Sequence, residues 1–114
     1  MDNLLHIRLR AVNSELKHDR EYIVTLGRDL FQQWYVGITF GRYGSWGTSR
    51  TKMVGGQEEA YDFINAKLRR RLTSPKRIGC AYQLVSFEGT EEILEIMDHK
   101  VIERFTWFEK AGMR

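Results

Sequence analysis

The chain has 114 residues, 42% of them hydrophobic and 29% charged, with one proline and a formal net charge of +3. That is enough apolar mass for a single folded domain, which excludes disorder, while so small a net charge does not by itself point to a polyanionic partner. The single cysteine, Cys80, excludes an intramolecular disulfide, and apolar runs of two or three residues at most exclude a membrane-crossing helix, which needs roughly 18. The opening Met1 to His6 lacks the basic stretch and apolar run of a secretory leader, so the expected location is cytoplasmic.

Leu5, Ile7 and Leu9 alternate with His6, Arg8 and Arg10, the period of a half-buried strand. Asn13 to Arg20 is polar and reads as a loop. Tyr22, Val24 and Leu26 alternate with Ile23 and Thr25 in a second strand, Glu21 to Leu26, that ends at Gly27. After a turn over Arg28 to Gln33, a third strand begins at Trp34 and runs toward Gly44. Trp34, Val36, Ile38 and Phe40 share one of its faces; Tyr35, Gly37, Thr39 and Gly41 share the other. A turn over Gly44 to Gly47 leads into a fourth strand, Arg50 to Val54.

From Gln57 to Leu72 the period changes: Ala60, Phe63, Ile64, Lys67, Leu68 and Leu72 recur at three and four, the stripe of an amphipathic helix. Gly55-Gly56 precedes it and Pro75 follows. Glu58, Glu59 and Asp62 near its start and Arg69, Arg70 and Arg71 near its end suit the helix dipole. Ala81 to Phe87 reads as the last strand. From Thr90, which suits an N-cap, Leu94, Met97, Val101, Phe105 and Phe108 predict a second helix; a strand pair split at Asp98-His99 also fits the pattern.

These elements assemble into an α+β fold, a twisted antiparallel sheet of about five strands with one helix packed across it and a C-terminal helical extension. Residues 1–88 form the domain, with residues 34–50 and the helix 57–72 at its centre. Residues 89–114 form an acidic amphipathic extension packed on that domain or at a dimer interface.

Charge is unevenly spread. Residues 1–40 hold five Lys/Arg and five Asp/Glu, residues 41–86 nine and three, and residues 87–114 four and seven, for net charges of 0, +6 and −3. Nucleic-acid binding needs cations near phosphates together with an aromatic or a close backbone approach, and the middle segment offers both. Arg42, Arg50 and Lys52 flank the glycine-rich turn, with Tyr43 and Trp46 available for stacking. Phe40 is open between a fourth core residue and a contact, and Gly41, Gly44 and Gly47 between turn residues and ligand approach. Arg69, Arg70, Arg71, Lys76 and Arg77 are open between solvated partners of the helix dipole and a second phosphate-facing stripe, in which Arg70 and Arg71 face outward more than Arg69. The C-terminal acids are expected either to form a solvated helix face or to screen the basic segment.

Catalytic and metal chemistry find no support. His6, His18 and His99 are scattered, no phosphate-binding glycine motif occurs, and Cys80 reads as a small buried hydrophobe. No cofactor, no metal and no enzymatic activity are expected.

Phe40-Gly41-Arg42-Tyr43-Gly44-Ser45-Trp46-Gly47 resembles the signature of the WGR domain, Trp-Gly-Arg before a glycine-rich turn, with Phe in the Trp position. Tyr22, Trp34 and the Glu58-Glu59-Ala60 helix start are similar to further family positions, and the resemblance covers roughly residues 21 to 86. WGR domains occur in DNA-dependent poly(ADP-ribose) polymerases, where they contact DNA near a break, and as small bacterial proteins. The resemblance implies that Phe40 takes the place of the aromatic that packs on the nucleic-acid backbone and Arg42 that of the arginine. Phe40 can stack but lacks the indole donor. The polymerases' catalytic domain is absent from these residues, so ADP-ribosylation is not implied.

The sequence therefore predicts a non-catalytic module that binds DNA, with RNA also admissible, through Phe40, Gly41, Arg42, Tyr43, Trp46, Arg50, Lys52 and Arg70. The alternative is a protein-interaction or dimerisation module built on the C-terminal segment.

Overall fold

A computed structural model describes residues 2–108. Four strands follow one another in an antiparallel meander: β1 (Asp2–Asn13), β2 (His18–Arg28), β3 (Trp34–Arg42) and β4 (Thr48–Val54). Helix α1 (Gln57–Leu72) and the short α2 (Ser74–Ile78) then lead to β5 (Gln83–Gly89), which pairs antiparallel with β1. The spatial order is β4-β3-β2-β1-β5. The C-terminal part contains α3 (Glu91–Ile96) and a 3-10 turn over Ile102–Arg104.

Register turns the alternating sequence into one apolar face. Leu5, Ile7 and Leu9 lie opposite Leu26, Val24 and Tyr22, which in turn lie opposite Val36, Ile38 and Phe40. Helix α1 crosses that face and buries Ala60, Ile64 and Leu68 completely against it. Each large aliphatic chain removed from water in this way contributes about 1.5–3 kcal/mol, so sheet and helix depend on one another for their stability.

Among the described residues no helix covers the opposite face of the sheet, and the first departure from the sequence reading lies in the β1–β2 hairpin. The polar stretch Asn13 to Arg20 is not a loop: β1 runs to Asn13, β2 starts at His18, and only Ser14 to Lys17 turn. Lys17 adopts a left-handed φ of 58° and the Asn13 side chain accepts a hydrogen bond from the Leu16 amide. The polar residues Asn13, His18, Asp19 and Arg20 are strand residues at the end of the hairpin; on the open face Asp19 receives Arg10 through two hydrogen bonds of 2.9 and 2.7 Å and Glu21 receives Arg8 at 3.2 Å.

Pro75, expected to follow the end of a helix, sits in the first turn of α2, a position where its missing N–H costs nothing. Buried Ser74 donates its hydroxyl to the Cys80 carbonyl at 2.8 Å and folds the chain back toward β5.

The predicted second helix is real but short. Thr90 caps it, its hydroxyl accepting from the Ile93 amide, yet the chain turns extended at Met97 after six residues. The His99 ring hydrogen-bonds the Leu94 carbonyl at 2.7 Å and so occupies an acceptor that a longer helix would have used. The turn also lets both Val101 and Ile102 enter the core beside Ile93, Met97 and Phe105, which one straight helical stripe would not. No strand pair forms over the described part of this segment. Instead the Leu84 amide donates to the Thr106 carbonyl and the Phe108 amide to the Leu84 carbonyl, and a parallel bridge links Leu84 to Trp107, covering the outer edge of β5.

The apolar stripe proposed for a dimer interface is therefore largely interior: Met97, Val101 and Phe105 are buried within the chain's own core.

Candidate nucleic-acid interface

The register of the last hairpin decides where its cations go. Arg50 lies opposite Ile38 and Lys52 opposite Val36, so both side chains are on the core-facing side of β4. They are nevertheless exposed, because β4 is the sheet edge and α1 sits farther toward the centre. The space between the β3–β4 edge and the side of α1 is a groove of about 980 Å³. Its floor is apolar, made by Tyr22, Val36, Ile38, Phe40 and Phe63; its rim carries Arg50, Lys52, Lys67, Arg70 and Arg71. Among the described residues no carboxylate lines it and none of the five cations forms an ion pair.

Aromatic rings hold several of these cations in place. The ammonium groups of Lys52 and Lys67 converge on the Phe63 ring from β4 and α1, at 5.5 and 5.2 Å from its centroid. The Arg71 guanidinium lies 4.4 Å from the Tyr22 centroid, and its buried Nε has no hydrogen-bond partner. Tyr22 also packs near Phe40 and Tyr82, with centroids 6.5 and 6.2 Å away. Burial pushes the Tyr22 hydroxyl above its ordinary pKa, an effect that the nearby Arg71 partly offsets. Such cation–π contacts are weak, about 0.5–1 kcal/mol at exposed sites, so they orient the cations without neutralising them.

The residues predicted from sequence divide into three groups. Phe40, Arg50, Lys52 and Arg70 are together in the groove. Gly41 and Arg42 close the end of β3, where the Arg42 side chain is exposed outside the groove lining and its carbonyl accepts from the Ser45 amide and hydroxyl. Tyr43 and Trp46 point elsewhere. Tyr43 packs on Arg10 on the open face of the sheet, 3.6 Å from ring centroid to guanidinium, and Trp46 stands 98% exposed at the hairpin tip.

Gly47 serves the hairpin's backbone: its φ is +69°, and a Cβ there would meet the Phe40 carbonyl oxygen at 2.7 Å. Gly41, at φ +152°, would bring a Cβ to 2.9 Å from the Gly47 Cα. These glycines let the two hairpin arms close.

Lys67, Arg71, Phe63 and Tyr22 were not among the predicted contacts. Phe63, Lys67 and Arg71 recur every four residues along α1, a mixed apolar and basic stripe beside the fully buried Ala60, Ile64 and Leu68. That spacing was the available signal. Arg69, on the same helix, lies outside the groove lining, and Arg77 caps the helix, donating to the Arg70 carbonyl at 2.8 Å. Among the described residues, none of the C-terminal acids lines the groove. Among the described residues no cluster of three or more His, Cys, Asp or Glu is placed to hold a metal ion, and no helix is long and apolar enough to cross a membrane.

The fold and its groove define a small α+β module with a concentrated, unpaired positive surface. Residues 5–74, from β1 into α2, match the model of the WGR domain, and the chain belongs to the WGR domain family. The match takes in β1, upstream of the resembling motif, and ends before Gly79 and Tyr82. This domain is associated with nucleic-acid binding in poly(ADP-ribose) polymerases. No curated protein matches the chain.

Proposed function

We propose that the chain is a non-catalytic DNA-binding module whose groove between α1 and the β3–β4 edge receives the phosphate backbone irrespective of sequence. The observation that carries this reading is the convergence of Arg50, Lys52, Lys67, Arg70 and Arg71 on one groove with no carboxylate among the described residues that line it. Like charges gathered around an apolar floor repel one another and raise the cost of the free state; a run of phosphates relieves that repulsion and releases condensed counterions. The polar side chains of the groove are nearly all cations, which meet phosphates of any sequence alike, so affinity comes from charge and position. Arg42, exposed at the strand end, extends the positive surface toward the hairpin.

The test is a titration of fluorescent duplex, nicked and single-stranded DNA, and of RNA of the same sequence, at several salt concentrations. The expected result is binding at low salt that weakens steeply as salt rises and changes little with sequence. Absence of binding to every one of these polymers at low salt refutes the proposal.

A further inference from the structure

The groove has more apolar floor than a phosphate backbone needs. Phosphates lying on a surface require cations and water; they gain nothing from the half-buried rings of Phe40 and Phe63 beneath them. In a duplex the bases are stacked inside and cannot reach such a floor. A strand with unpaired bases can turn them inward onto aromatic and aliphatic side chains while its phosphates remain at the charged rim. The groove's size agrees: about 980 Å³, with mixed apolar and cationic lining, is room for a nucleobase and its phosphates.

The placement of the lysines adds a second argument. Lys52 and Lys67 come from different elements and both contact the same ring, at 5.5 and 5.2 Å from the Phe63 centroid. Each ammonium keeps its charge at the ring, so a phosphate beside Phe63 has cation partners from both β4 and α1. A base resting on the floor would bring its own phosphate to that point.

We infer that the groove takes single-stranded nucleic acid, with a nucleobase seated on Phe63 and the neighbouring β3 floor and its phosphates between Lys52, Lys67 and Arg70. This rests on the nucleic-acid reading above and narrows its substrate class from any phosphate backbone to an unpaired strand. Sequence preference stays low, since every base offers a flat face to the ring.

The deciding comparison uses the full chain and three fluorescent probes with the same number of phosphates: a mixed-sequence single-stranded oligonucleotide, an abasic oligonucleotide, and a duplex. The single strand should bind at least about tenfold more tightly than the abasic strand, and more tightly than the duplex, because one stacked base contributes about that factor. Phe63→Leu keeps an aliphatic side chain but removes the ring. It should remove most of the ratio between base-bearing and abasic affinities; any change in how Lys52 and Lys67 are held affects both strands and cancels in that ratio, and a cooperative melting curve verifies the fold. Phe63→Ala serves as a second variant, read only if its melting curve remains cooperative.

Equal affinity for the abasic and base-bearing strands, or tighter binding to the duplex, overturns base seating and leaves the backbone-binding reading standing. Failure of all three probes to bind at low salt removes both. An unchanged preference in Phe63→Leu shows that bases are read elsewhere and also overturns the inference.

Discussion

The salt dependence of binding can be worked out from the groove before any affinity is known. Each phosphate neutralised on duplex DNA contributes about −0.9 to the slope of log affinity against log salt. If each of Arg50, Lys52, Lys67, Arg70 and Arg71 meets one phosphate, the slope is about −4.5, and raising salt from about 50 to about 200 mM weakens binding roughly 500-fold. The double substitution Lys67→Gln with Arg70→Gln removes two of the five cations. The slope should fall to about −2.7 and the same salt step should cost only roughly 40-fold. Arg69→Gln removes the same kind of charge from the same helix, outside the groove lining, and should leave the slope unchanged. Fluorescence anisotropy at four or more salt concentrations measures both, and melting curves verify that the variants are folded, since none of these side chains is buried. A double variant with the wild-type slope, or an Arg69→Gln variant that shifts it as far, refutes the assignment of the groove as the phosphate site.

Leu68→Ala, at a fully buried position under the sheet, should cost about 2–5 kcal/mol in a denaturant titration, the usual range for a leucine cavity. In the β3–β4 hairpin, Gly44 has φ +84° and open space around it, so Gly44→Ala should cost only the left-handed strain of about 1–2 kcal/mol. Gly47→Ala adds a clash with the Phe40 carbonyl and should destabilise more than Gly44→Ala in parallel thermal melts; equal losses would show that the hairpin relaxes around the new methyl. Burial raises the hydroxyls of Tyr22 and Tyr82 above their ordinary 10.0, so the folded chain retains protons that the unfolded chain releases. Their contribution to stability is complete below pH 10.0 and is lost as pH rises through the folded values, and melting temperatures followed into the alkaline range with tyrosinate absorbance should fall there, less so in Tyr22→Phe.

Much of the fold is legible because burial on one face forces a period on the sequence. Leu5, Ile7 and Leu9, and then Tyr22, Val24 and Leu26, mark their strands by alternation, and Ala60, Ile64 and Leu68 mark a helix by their spacing. The signal fails where that pressure is absent. Asn13 to Arg20 hides two strand ends, since the arginines and acids on the open face satisfy one another across the hairpin. Beyond Thr90 the stripe at Leu94, Met97, Val101 and Phe105 agrees with a helix, yet His99 and the adjacent buried pair Val101 and Ile102 favour a turn. The candidate site divides in the same way. Arg50, Lys52, Arg70 and Phe40 could be named from the basic middle segment, whereas Tyr43 and Trp46 share that segment but not the groove.

By itself, the amino-acid order determined the centres of the five strands and of the main helix, that the middle of the chain is the basic part, and that glycines flank the turn after Phe40. Only the tertiary structure decided that Arg50 and Lys52 from β4 meet Lys67, Arg70 and Arg71 from α1 above a floor supplied by Tyr22, Val36, Ile38, Phe40 and Phe63. The reason is geometric. A strand pairing shifted by one residue would send Arg50 and Lys52 to the open face, and that register is fixed by the packing of Val36, Ile38 and Val54 under the helix, not by the cations themselves.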